Sequence, residues 1–130
     1  MTATDHARQS ALASYDTINA MIATLENDTE YKGQDASEAI LEHPLSIKVR
    51  SDWHTPGDGH NKPTEYEILI TYGGPSVRIS VRITGDLDEH SQPTNAYLQY
   101  QGWGIPWQTV YEGIDADTLL KYANQFYFGE

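Results

Sequence analysis

Residues 66–83 have the sequence YEILITYGGPSVRISVRI, and this stretch decides the fold class. Apolar and polar side chains alternate on both sides of the Gly73-Gly74 pair, whose backbone freedom suits a tight turn. A period of two is typical of a strand with one buried and one exposed face. The stretch therefore predicts a β-hairpin in which Ile79, Val81 and their alternate neighbours face the core.

One further strand is predicted before this hairpin and one after it. Residues 45–50 alternate Leu, Ile and Val with polar side chains, and residues 96–101 place Leu98 inward with Tyr97 and Gln99 outward. The middle of the chain thus supplies four strands.

Polar or irregular connections join these strands. Residues 51–64 and 85–94 are rich in turn-forming Gly, Pro and Asp, and residues 102–107 contain two Gly and a Pro. We predict loops there, whereas residues 108–111 are compatible with a short extended segment.

Three helices are predicted from apolar residues that recur at steps of three and four. The first spans about residues 5–26 and has one buried stripe. The second is short, because Asp35 and Glu38 resemble a capping box at its start and Pro44 prevents its continuation. The third begins after Asp115 as N-cap. The residues expected on its buried face are Leu119, Tyr122, Ala123 and Phe126.

The order helix, helix, four strands, helix predicts an α+β fold. Short connections favour an antiparallel sheet, because parallel strands need crossover helices that the middle of the chain lacks. We expect a four-stranded antiparallel sheet with the N-terminal and C-terminal helices packed on one face. The length of 130 residues fits a single domain, residues 1–130.

The chain is strongly acidic, with 19 Asp and Glu against 8 Lys and Arg and a formal net charge of −11. Such a surface repels nucleic acid phosphates and anionic lipid headgroups and attracts basic partners. We therefore expect a basic protein as the partner, and no direct binding to nucleic acid or to a membrane. The alternative is that the charge serves solubility alone.

The chain contains no cysteine, which excludes disulfide bonds and zinc sites built from thiolates. Its first residues lack the basic and apolar regions of a signal peptide, and it has no apolar run of about 18 residues. We expect a cytoplasmic protein.

Half of the basic residues are expected on the outward face of the sheet. They are Lys48, Arg50, Arg78 and Arg82. They either pair across strands with Glu65 and Glu67 or form a local site for an anion or an acidic partner.

Large aromatic residues flank the bend at 102–106 and end the chain. Trp103 and Trp107 either form an exposed platform for a protein contact or close one end of the core under the last helix. Tyr127 and Phe128 are expected to dock, either on their own domain or on a second subunit, so a homodimer is possible.

One loop carries residues with the chemistry of metal ligands. Asp52, His54, Asp58 and His60 lie close together, but the surrounding Gly and Pro favour a flexible loop over a fixed ligand set. No phosphate-binding loop, nucleophile elbow or His-Glu-x-x-His motif occurs. We expect no catalytic residue, no metal and no cofactor, and keep a metal-dependent hydrolase as the weakest alternative.

Three stretches resemble small acidic proteins of bacteriophages and prophages. They are SYDTINAMIATLEND at 14–28, AYLQYQGWGIPW at 96–107 and DTLLKYANQFYFGE at 117–130. Such proteins are similar to anti-CRISPR and anti-restriction inhibitors, which occupy or mimic nucleic-acid sites of the host defence. The resemblance implies a phage-encoded inhibitor in the bacterial cytoplasm that acts by stoichiometric binding, and not an enzyme.

Acidic and aromatic side chains are the expected contact residues, because carboxylates can replace phosphates in a basic channel. The predicted partner-binding residues are Glu26, Asp28, Glu30, Asp86, Asp88, Glu89, Trp103 and Trp107. Asp35, Glu38 and Glu42 form a further acidic cluster. The main alternative is a phage binding or assembly protein without an inhibitory role.

Overall fold

The computed structural model describes residues 3–27, 29–51, 56–57, 63–73, 75–83, 94–102 and 106–126. The elements in these ranges are α1 (Ala3–Glu26), β1 (Glu30–Tyr31), β2 (Gln34–Asp35), α2 (Ala36–Glu42), β3 (Ser46–Ser51), β4 (Pro63–Thr71), β5 (Ser76–Arg82), β6 (Asn95–Gln101), β7 (Gln108–Val110) and α3 (Ala116–Ala123). The predicted α+β class is confirmed.

Strands β3 to β7 form a five-stranded sheet in sequence order, and each strand is antiparallel to the next. The prediction of four strands is wrong, because β7 adds a fifth and β1 and β2 form a separate two-stranded hairpin. Strands of two or three residues are too short to show an alternation in sequence, and pairing with a neighbour defines them instead. The strands β3 and β4 also extend into both ends of the connection predicted at 51–64.

The turn between β1 and β2 is set by backbone conformation. Lys32 and Gly33 have φ angles of 49° and 80°, so both central residues of the two-residue turn lie in the left-handed region. This is the conformation of a type I′ turn, whose twist matches that of the two strands. The hairpin connects α1 to α2.

The core lies between the helices and one face of the sheet. Ile68, Ile79, Leu98 and Val110 are side by side on β4 to β7, and all four are buried. Helices α1 and α3 pack over β5 and β6, where the buried Tyr122 joins this cluster. Truncation of one such apolar side chain to alanine typically costs about 2–5 kcal/mol of folding free energy.

Helix α1 buries most of the stripe that its sequence predicts. Ala11, Tyr15, Ile18 and Ile22 of this stripe are buried, as is Ala7, whereas Leu25, which also belongs to the predicted stripe, is only partly buried. The Tyr15 hydroxyl accepts a hydrogen bond of 3.0 Å from the Asp115 N–H, which ties α1 to the start of α3. None of the described helices combines the length and the apolar character that crossing a membrane requires.

The two shorter helices differ in how they begin. At α3, Asp115 is the predicted N-cap, and its side chain accepts a 2.9 Å hydrogen bond from the Asp117 N–H. At α2, Asp35 occupies the N-cap position but its side chain makes no capping hydrogen bond, so the predicted capping box does not form. The predicted buried face of α3 is confirmed through Phe126.

Candidate functional site

The outward face of the sheet carries polar side chains in rows that cross the strands. Ser46, Leu69, Arg78, Gln99 and Thr109 lie in register on β3 to β7 and form one row. The next row contains Lys48, Glu67, Ser80 and Tyr97, and the third contains Arg50, Glu65, Arg82 and Asn95. Lys48, Arg78 and Arg82 of the predicted basic residues thus share this face with both glutamates, and the side chain of Arg50 lies outside the description.

The guanidinium group of Arg78 is held by hydrogen bonds at its edge and by an aromatic ring that stacks on its plane. Its Nη1 donates to Glu67 Oε2 at 2.7 Å and its Nε donates to Gln99 Oε1 at 2.8 Å. Gln99 in turn donates to the Thr109 hydroxyl at 3.1 Å. The indole ring of Trp107 covers the guanidinium, 4.1 Å from its central carbon. These contacts hold Arg78 in one orientation on the sheet face.

A second cross-strand pair lies two residues away from Glu67 on β4 and four residues away from Arg78 on β5. Arg82 Nε is 3.0 Å from Glu65 Oε1, and the arginine is the more exposed partner. These two pairs confirm for Arg78 and Arg82 the interpretation that outward basic residues pair with Glu65 and Glu67. Lys48 has no ion pair within the described part of the chain.

A groove of about 320 Å³ lies between these side chains on the outward face. The small Ser80 side chain leaves room between its longer neighbours. The charged residues that line it are Lys48, Glu65, Glu67, Arg78 and Arg82. Most of their charge is neutralised within the groove itself, because two carboxylates already pair with two guanidinium groups. Three cations and two carboxylates leave the groove with one formal positive charge.

The helical side of the molecule has the opposite character. Its exposed carboxylates lie on the three helices, on the β1–β2 hairpin and in the turn before α3. We call this set of carboxylates the acidic side. They are Asp5, Asp16, Glu26, Glu30, Asp35, Glu38, Glu42, Glu112, Asp115 and Asp117. The basic residues described in the same elements are Arg8, Lys32 and Lys121. Glu65 and Glu67 are the only described carboxylates that are not exposed. Among the residues that the structure describes, the charge is thus separated into an anionic helical side and a sheet face whose groove is nearly balanced.

The predicted contact residues that the structure describes do not share one surface. Glu26 lies at the end of α1, where Lys121 Nζ approaches its Oε1 at 3.2 Å, and Glu30 is exposed in β1. Trp107 lies against Arg78 on the outward face of the sheet, away from the helices. The other predicted contact residues, Asp28, Asp86, Asp88, Glu89 and Trp103, lie outside the described residues.

Trp107 follows neither of the two predicted arrangements. It is half-buried, so it is not a free platform, and it packs on the sheet face opposite the last helix, so it does not close the core beneath α3. The cation–π contact with Arg78 explains its position. The sequence signals for such a stack are an arginine at an outward strand position and a tryptophan close to a strand. The sequence does not show which arginine the tryptophan contacts.

The residues considered as metal ligands, Asp52, His54, Asp58 and His60, lie outside the described residues. Among the residues that are described, no group of three or more His, Asp or Glu side chains is placed to hold a metal ion. The predicted docking residues Tyr127 and Phe128 also lie outside the description.

His43 was not singled out from the sequence, yet it links two helices. Its Nδ1 lies 2.7 Å from the Tyr122 hydroxyl, and the two rings meet edge to face with centroids 5.7 Å apart. Burial lowers the pKa of His43 and raises that of Tyr122, so both groups are neutral near pH 7. The pair anchors the end of α2 to the buried face of α3.

Comparisons of the chain with family models, with curated proteins and with solved structures found no match. The functional argument therefore depends on the residues and surfaces described above.

Proposed function

We propose that this chain is a stoichiometric inhibitor whose acidic side binds the nucleic-acid site of a bacterial defence protein. The observation that supports this proposal is the separation of charge. The exposed carboxylates that the structure describes lie on the helical side, whereas Arg78 and Arg82 lie on the sheet face, where they pair with Glu67 and Glu65. An acidity that served solubility alone needs no such separation.

The physical basis is competition for one electrostatic field. A nuclease that binds DNA or RNA presents a basic channel, and the field of that channel attracts any rigid anionic body as it attracts phosphates. Complementary charge raises association rates from about 10⁵–10⁶ to 10⁸–10⁹ M⁻¹s⁻¹ at low salt. A protein bound there excludes nucleic acid without any chemical reaction.

The orientation of binding follows from the same distribution. The acidic side attracts a basic channel, and the sheet face, with its exposed Lys48 and Arg82, does not. The partner therefore meets the helices first. The specific target class, an RNA-guided or restriction nuclease, comes from the resemblance of the chain to small acidic phage proteins.

The experiment measures DNA cleavage by a panel of purified restriction endonucleases and RNA-guided nucleases as the protein is added. We expect inhibition of one panel member at a one-to-one ratio, with an affinity that falls steeply between low salt and about 0.3 M salt. Absence of inhibition across the panel would refute the proposal. Binding without inhibition would favour the alternative of a phage assembly protein.

Two matched double variants test the orientation. The first variant combines Glu30→Gln with Glu38→Gln, and the second combines Glu65→Gln with Glu67→Gln. Both remove two negative charges, the first from the acidic side and the second from the sheet face. We expect weaker inhibition and a shallower salt dependence for the first variant and little change in either for the second. The triple variant Asp86→Asn, Asp88→Asn, Glu89→Gln is also expected to weaken inhibition. Salt-insensitive binding that is lost in Trp103→Ala or Trp107→Ala would instead assign the contact to the aromatic residues.

A further inference from the structure

Exposed large apolar side chains are concentrated in one short segment of the chain. Leu41, Leu45, Ile47 and Val49 are 53%, 63%, 38% and 51% exposed, and they fall within nine consecutive residues. The other exposed large apolar residues in the described chain, Tyr72 and Tyr111, are separate in sequence. Single exposed apolar residues are ordinary, whereas a group of them marks a contact surface. We call these four residues the α2–β3 strip.

The strip is exposed because β3 is the end strand of the sheet. Ile47 and Val49 lie beside Ile68 and Tyr66 of β4, on the face of the sheet that carries the helices. Ile68 is fully buried and Tyr66 nearly so. Helices α1 and α3 pack over β5 and β6, and no described helix packs extensively on β3. The apolar row on β3 is therefore a margin of the hydrophobic layer over which no described helix packs extensively.

The strip is held rigidly at both ends of the connection that joins α2 to β3. His43 is bonded to the buried Tyr122, and the Leu45 N–H donates a 2.7 Å hydrogen bond to the Leu69 carbonyl. Beyond that point β3 pairs with β4. A surface ordered in advance loses little conformational entropy when a partner binds.

Acidic residues define what the strip can contact. On α2, Leu41 lies three residues after Glu38 and directly before Glu42, and all three side chains are exposed. Residues three apart share one helix face. Leu45 follows four residues later, so its Cα is within about 14 Å of that of Leu41. The surface thus has apolar side chains with carboxylates at its α2 end.

We propose that the α2–β3 strip is the centre of the contact with the basic partner. The partner presents there an apolar patch bordered by Lys or Arg side chains, because apolar contacts at the centre and paired charges at the rim are the composition of specific protein interfaces. A second copy of this chain fits less well, since it would bring Glu38 and Glu42 against like charges on a molecule of net charge −11. This inference rests on the proposed function and names the apolar surface beside Glu38 and Glu42 of the acidic side that the partner covers.

The experiment compares two variants against the nuclease that the wild-type protein inhibits. Leu45→Thr with Val49→Thr removes apolar contact and places at both positions the β-branched threonine, which suits a strand and the residue next to it. Tyr111→Thr removes an exposed large side chain elsewhere and is the matched control. We expect at least a tenfold weaker inhibition for the double variant, an unchanged slope of affinity against salt, and no change for the control. Circular dichroism and the unfolding temperature establish that both variants are folded.

Each outcome has a distinct meaning. If the double variant inhibits the nuclease as strongly as the wild-type protein does, the assignment of the strip is overturned and the proposed function still stands. No inhibition by the wild-type protein of any nuclease overturns both. Sedimentation that shows a dimer of the wild-type protein, lost in Leu45→Thr with Val49→Thr, assigns the strip to a second copy and also overturns the inference.

Discussion

The guanidinium carbon of Arg78 lies 4.1 Å from the centre of the Trp107 ring. Arg78 is in the middle of β5, and Trp107 immediately precedes β7. The contact therefore fastens the chain before the last strand to the outward face of the sheet. It also shields one side of the hydrogen bonds from Arg78 to Glu67 and Gln99.

Replacement of Trp107 by leucine tests this contact. We expect the free energy of unfolding to fall by about 1 kcal/mol, the usual size of a partly buried cation–π contact. Tyr111→Leu is the control, because Tyr111 is exposed and its replacement should change stability by less than about 0.5 kcal/mol. Urea denaturation measures both. Equal effects of the two substitutions would show that the stack does not stabilise the fold.

The two cross-strand ion pairs should differ in strength. Glu67→Gln leaves Arg78, whose side chain is only 23% exposed, without a charged acceptor, so we expect a loss of about 1 kcal/mol. Glu65→Gln affects Arg82, which is largely exposed, and should cost less than about 0.5 kcal/mol. Urea denaturation at low and high salt distinguishes them. A larger loss for Glu65→Gln would contradict this order.

The two N-cap aspartates provide another matched comparison. Asp115→Ala removes the hydrogen bond to the Asp117 N–H and should lower the free energy of unfolding by about 1 kcal/mol. Asp35→Ala removes no capping hydrogen bond at α2, so we expect a smaller change. Thermal unfolding followed by circular dichroism is the measurement. Similar losses for both variants would mean that the Asp115 bond contributes little.

The buried pair of His43 and Tyr122 predicts a dependence of stability on pH. Burial lowers the pKa of His43 below its ordinary value of 6.5, so the unfolded chain binds a proton at a higher pH than the folded chain. The free energy of unfolding therefore falls as pH drops through about 6.5 and continues to fall until the folded imidazole is protonated, with a slope of at most about 1.4 kcal/mol per pH unit.

Replacement of His43 by glutamine should flatten this pH profile between about pH 7 and pH 5. The control is Tyr122→Phe, which removes the hydroxyl but keeps the imidazole and its burial. It should lower stability by about 1 kcal/mol at every pH in this range, because Tyr122 is neutral throughout. An unchanged profile in His43→Gln would assign the pH dependence to other groups.

The local pattern of the chain predicted most of the elements correctly. The hairpin at 66–83 is present as β4 and β5, and the first helix, the buried face of the last helix and the inward position of Leu98 are all confirmed. In each of these elements apolar side chains recur every two residues or every three to four residues, because the element buries only one face. The cross-strand pairs of Glu65 and Glu67 were also anticipated, since side chains two apart share a sheet face.

Other features could not be predicted because they depend on residues far apart in the chain. The fifth strand exists through its pairing with β6, and Trp107 has its position because Arg78 is adjacent in space. The alternation at 45–50 predicted a half-buried strand, but it contains no information about whether a helix covers that strand.

The sequence by itself determined the α+β class, the spacing of buried side chains and a net charge of −11, because composition and short-range periodicity contain all three. Only the tertiary structure decided that the described exposed carboxylates lie on the helical side, that Arg78 and Arg82 pair with glutamates on the sheet face, and that no described helix packs extensively on β3. The physical reason is that exposure and pairing depend on which elements pack together, and packing joins residues that are distant along the chain.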